Sequence, residues 1–172
     1  MKPCTDLSPA DWLVASELPW ERLVTFGPAG FPAYARLRFV ADPAFDGQHE
    51  SDAVSPALGD DEQLRQVLDV LAEHTSTPED CYFCVWDGFG DLGGPKVVVP
   101  HRAYHLFAGQ LRSAGTSLAF VWPADHAWCV AHDVDPHWAG IGASEAAVDQ
   151  LIADARLDVV AADPAREQPA YR

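Results

Sequence analysis

The chain reads as an α+β protein built on an antiparallel sheet, and two observations carry this. Residues 81–143 form a run of short, aromatic-rich segments (CYFCVWDG, KVVVP, AYHLFAG, LAFVWP, AWCVAHDV, HWAGIGA) with tight turns between them. Most of the gaps are too short for the dozen or more residues of a parallel crossover, so neighbouring segments must pair antiparallel. On either side of this block lie stretches with the 3.6-residue apolar period of helices. The expected architecture is a sheet of about five or more strands with two to three helices packed on one face, those of 61–74 and 144–155 foremost. One domain spans 1–172, with a polar tail at 163–172 that is expected to fray.

Taken in chain order, Ser8 suits an N-cap, Pro9 the first helical position and Asp11 the positive end of a helix dipole, which predicts a helix over 9–17. The segment 22–26 is compatible with strand or helix. Residues 27–30 (GPAG) are expected to form a turn or loop. Between Tyr34 and Val40 apolar and polar residues alternate, as in a half-buried strand. The stretch 42–61, rich in Asp, Pro, Gly and Ser, carries no period and reads as a long loop. A helix is then expected over 61–74. Leu64, Val67, Leu68 and Leu71 share one of its faces, Asp60 and Gln63 match a capping box, and Pro78 bars its continuation. After the strand-rich block, Ser144 caps a last helix with Val148, Leu151, Ile152 and Ala155 on one face. A short strand at 157–161 follows.

The composition bounds what the protein does. A hydrophobic fraction of 48 % is ordinary for a folded domain, and four cysteines are too few for a disulfide scaffold. No leader-like apolar region opens the chain, and no uncharged run approaches the roughly 20 residues of a membrane span. The expectation is a cytoplasmic protein with reduced thiols. The net charge of −15 argues against nucleic acid and against anionic membrane surfaces. It leaves a basic protein partner, an acidic pocket for a cation, or solubility alone.

Three segments offer chemistry. Cys81 and Cys84 have the spacing of metal and redox centres, but the intervening Tyr82 and Phe83 are strand residues. Positions three apart on a strand face opposite ways, so these are expected to be core thiols. The run from His126 through Cys129, His132, Asp133 and Asp135 to His137 is rich in metal-ligand types. Three ligands do not converge from it locally, so neither metal nor cofactor is expected. The glycine-dense loop at 86–94 is followed by a strand rather than a helix, so it cannot cradle phosphate. With Phe89 exposed between Asp87 and Asp91, it suits contact with a protein or a cationic ligand. His101, His105 and His126 fall on different strands that the fold could bring together. The expected binding residues are Asp87, Phe89, Asp91, His101, His105, His126, His132 and Asp133. No nucleophile with a base and an orienting acid stands out.

The runs 25–36 (TFGPAGFPAYAR), 84–88 (CVWDG), 121–130 (VWPADHAWCV) and 133–142 (DVDPHWAGIG) resemble a family of actinobacterial cytoplasmic proteins to which no activity is attached. In architecture and acidity the chain is also similar to SMI1/KNR4-like immunity domains, and that likeness implies a binding protein rather than an enzyme. The function expected is a non-enzymatic acidic interaction domain for a basic protein partner, met through the 87–91 loop and the 42–61 loop, the chain itself being monomer or homodimer. The alternative is a metal- or ligand-binding enzyme that uses the histidine-rich strands of 101–137.

Overall fold

The aromatic-rich block turns back on itself strand by strand. In the computed structural model, which describes every residue except 55, 91, 134 and 135, it supplies β3 (Cys81–Trp86), β4 (Val97–Val99), β5 (Arg102–Gly109), β6 (Leu118–Pro123), β7 (Cys129–Ala131) and β8 (Trp138–Ala143). Outlying segments add β1 (Lys2–Pro3), β2 (Ala33–Arg38) and β9 (Val159–Ala161). Among the described residues these make one nine-stranded antiparallel sheet in the order β1-β5-β3-β6-β7-β8-β2-β9, with β4 also on β5. The fold is α+β, with α1 (Asp11–Val14), α2 (Trp20–Phe26), α3 (Asp60–Leu71) and α4 (Glu145–Ala153) around the sheet. No helix among the described residues is long and apolar enough to cross a membrane.

Strand alternation splits the core in two. Phe83, Val121, Val130 and Ile141 face α3 and α4, which cover them with Leu64, Leu68, Leu71, Val148 and Leu151. Cys84, Leu106, Phe120 and Ala131 point the other way, under Leu13 of α1 and Leu23 and Val24 of α2. The two helices expected on one face lie there, and the N-terminal pair closes the opposite face. Cys81 and Cys84 accordingly belong to different cores, and both are free thiols.

Two capping readings need correction. Asp60 and Gln63 do not form a box: the N-cap of α3 is Gly59, and Gln63 Nε2 donates to the carbonyls of Leu58 (3.0 Å) and Phe39 (3.4 Å). The helix expected over 9–17 is a single 3-10 turn followed by the four residues of α1. Asp6, rather than Ser8, supplies the oxygens there, accepting both Ser8 N–H and Ser8 Oγ–H at 2.9 Å. Ser144 does cap α4, accepting from Ala147 N–H at 3.2 Å.

The last two residues of the C-terminal tail contact the body of the domain. Tyr171 donates its hydroxyl to Ala41 O and stands edge-on to His137, and Arg172 N–H reaches Gln48 O at 3.0 Å. Beneath it Arg36, almost wholly buried, grips Asp42 with two bonds of 2.7 and 2.9 Å. Burial alone would raise the Asp42 carboxyl. The Arg36 guanidinium, helped by His137 and Arg38, pulls it down to about 2.

One close approach fixes how α2 meets the sheet. A Cβ on Gly140 of β8 would stand 1.9 Å from Thr25 O, so only glycine lets the helix backbone come this near. Gly140→Ala should therefore cost about 1–3 kcal/mol, the range for forcing extra volume into a packed core. Urea unfolding followed by tryptophan fluorescence measures this, and an unchanged midpoint would contradict the packing described.

Candidate functional site

Antiparallel pairing brings particular residues to one end of the sheet. Trp86 closes β3 opposite Tyr104, near the start of β5, and Val85 lies opposite Leu118, the start of β6. The β3–β6 register slips between Cys84 and Val85, so Ala119 is the extra residue of a bulge. Its carbonyl accepts from His132 N–H at 2.8 Å, which carries the chain past the end of β7. Ser117, just before β6, has a positive φ of 57° and donates its N–H to Asp61 Oδ1 at 3.2 Å. That bond ties the N-terminus of α3 to the same end of the sheet.

The result is a cleft of about 510 Å³ lined by Gly59, Asp60, Asp61, Trp86, Phe89, Ser117, Ala119 and His132. Two carboxylates from the first turn of α3 share it with two aromatic rings. Phe89 is 58 % exposed and meets the Trp86 ring edge-on, 5.5 Å between centroids. The imidazole of His132 lies against Phe39, at 4.5 Å. Burial pushes the His132 pKa below the usual histidine value, and the opposing pull of Asp60, Asp61 and Asp133 does not restore it. A neutral imidazole at pH 7 adds no positive charge to the cleft, which suits it to a cation.

A second group packs behind Trp86. The Arg102 guanidinium sits 5.7 Å from the Trp86 ring and 5.5 Å from that of Trp20, and its Nε donates to Asp133 Oδ2 at 3.0 Å. Asp133 is only 2 % exposed. His101, at φ 65°, stands edge-on to Trp20. Arg102 is thus locked between two indoles and a carboxylate, an arrangement that holds the β5 start in place.

The residues singled out from sequence do not all meet. Phe89 and His132 line the cleft. Asp87 joins Trp86 to Phe89, and its carboxylate is 3.3 Å from Lys96 Nζ. His101 and Asp133 belong to the Arg102 group. His105 is buried along β5. His126 is at the opposite end of the sheet: it has φ 53° after the turn at Asp125, and its ring stacks on Trp12 at 4.1 Å. That turn breaks the alternation which would have set His126 beside His132. Asp91 and Asp135 lie outside the described residues. Among the described residues no three His, Cys, Asp or Glu side chains could hold a metal ion.

Asp60, Asp61 and Trp86 fall within the 42–61 and 86–94 stretches expected to make contacts, but none of the three was singled out by itself, because each has an ordinary structural use, the first two in a helix start and the third in a strand. The available signal was the acidic triplet Asp60, Asp61 and Glu62 opening α3 within an already acidic chain. Comparison with protein-family models, with curated proteins and with solved structures gave no match.

Burial of the imidazoles has a consequence for stability. His132 and His126 both have lowered pKa values, in each case through burial, so the unfolded chain binds these protons more readily than the folded one. Their contribution is complete above the unfolded histidine value, about pH 6.5, and is lost as pH falls through the folded values. Urea unfolding at about pH 7.5 and about pH 5.5 should show weaker stability at the lower pH. His132→Gln should flatten that slope, and an unaltered slope would remove His132 as its source.

Proposed function

We propose that this protein is a non-enzymatic acidic interaction domain, immunity-like in mode, that captures a basic protein partner through the cleft at the α3 end of the sheet. The observation that carries the reading is the sharing of one cleft by the Asp60 and Asp61 carboxylates and the exposed Phe89 ring. An arginine or lysine side chain entering it meets the carboxylates with its charge and the aromatic face with its flat or apolar part.

The magnitudes divide the work. An exposed ion pair contributes about 0–1 kcal/mol, so the carboxylates alone give little affinity. The net charge of −15 steers a basic partner toward the surface and raises the rate of encounter. Residence then depends on aromatic burial in the cleft. Four free thiols support a reducing, cytoplasmic setting.

An arginine–glycine repeat peptide is a defined probe for this cleft. Titrated into labelled protein, it should shift the amide signals of Asp60, Asp61, Phe89, Ser117 and His132 first, and binding should weaken steeply with salt. Phe89→Ala should weaken it about tenfold, and Asp60→Asn with Asp61→Asn should remove most of the salt dependence. Shifts confined to other surfaces, or equal binding of a glutamate–glycine peptide, would reject the assignment.

A further inference from the structure

We infer that His132 is a recognition residue of the acidic cleft: its neutral imidazole accepts a hydrogen bond from the partner's cationic side chain, and its protonation on acidification releases that partner. This rests on the cleft being the site for a basic partner, and it adds the condition under which the site lets go.

Strand alternation turns the ring toward the cleft. Val130 packs into the core under α3 and Ala131 into the core under α1 and α2. The bond from His132 N–H to Ala119 O, 2.8 Å, extends the β6–β7 pairing one residue further, so His132 points to the α3 side again. There its ring lies against Phe39, 4.5 Å between centroids, and the residue lines the cleft with Asp60 and Asp61. It is partly exposed, whereas His105 and His137 are buried. Among the described residues no group bonds to either nitrogen of the ring.

The carboxylates and the imidazole then divide the hydrogen bonding. A guanidinium presents five N–H donors and an ammonium three. Asp60 and Asp61 receive some of them from α3, and Asp61 Oδ1 is already shared with Ser117 N–H. A neutral imidazole offers one further lone pair from the β7 side. Protonated, the same ring holds only donors and a positive charge, and it competes for Asp60 and Asp61 itself. The charged groups acting on it are Asp60 and Asp61 of α3 and the adjacent Asp133, which is paired to Arg102. Phe39, Trp86, Phe89 and Ser117, from the other segments around it, do not titrate near neutrality. Burial outweighs the three carboxylates and keeps the ring neutral at pH 7.

An end-blocked arginine–glycine repeat peptide is the probe, since nothing in it titrates between about pH 5 and about pH 7.5. Its affinity should fall about fivefold as His132 takes up its proton over that range, the worth of one like-charge contact in water, while the amide spectrum shows the fold intact throughout. By linkage, saturating peptide should lower the His132 pKa, read from the imidazole carbon signals, by the same factor. His132→Gln, which keeps an acceptor but binds no proton, should lose most of the pH dependence. His132→Leu should bind more weakly than His132→Gln at about pH 7.5, because it has no acceptor. A His132 titration unmoved by bound peptide, equal pH dependence in His132→Gln, or equal binding by the two variants would overturn the proposal and leave the cleft assignment standing. Absence of any binding to the wild-type protein would remove both. The wild-type titration decides even where a variant does not fold.

Discussion

Strand β3 is hydrogen-bonded along both edges, to β5 and to β6, and both neighbours run against it. This one constraint sets the rest. An antiparallel centre places the end of β3 beside the beginnings of both partners, so Trp86, Arg102 and Ser117 become neighbours although they are far apart in sequence. The bulge at Ala119 adds a local bend and brings His132 onto the same end. Had β3 been an edge strand, Phe89 and the start of α3 would share no wall.

Two opposed uses of charge follow from that arrangement. On the α1–α2 side Arg102 is enclosed by Trp20, Trp86 and the buried Asp133, where its charge holds strands together. On the α3 side Asp60 and Asp61 open onto solvent, and His132 is kept neutral by burial. Trp86 touches both groups. A residue that serves as a wall for the cleft is thus braced from behind by a guanidinium, which keeps that wall on a rigid element rather than a free loop.

The strand-rich block was legible because its signal is local: aromatic and β-branched runs with short gaps admit one kind of pairing. The divergence of Cys81 and Cys84 was legible for the same reason, following from strand period alone. The capping of α3 was not, because Asp60 and Gly59 compete for the N-cap and Gln63 found partners in Leu58 and Phe39 instead. Nor could local pattern place the histidines. His126 and His132 are six positions apart, and strict alternation would set them on one face. A turn at Asp125, secured by bonds from Thr75 and Ser76, sends His126 to Trp12. The bonds that decide this come from residues about fifty positions away, which no window of sequence contains.

The edge of β5 shows how a fold leaves openings that its sequence does not advertise. β5 is eight residues long, while β4 and β1, which share its outer edge, contribute three and two. Two short strands protect an edge from pairing with another chain, since neither offers a long flat template. The same shortness prevents them from covering β5 completely. An apolar side chain at 105 would have closed that interval by packing alone. His105 instead lies buried there with its Nε2 unpaired, a desolvation cost that packing does not remove.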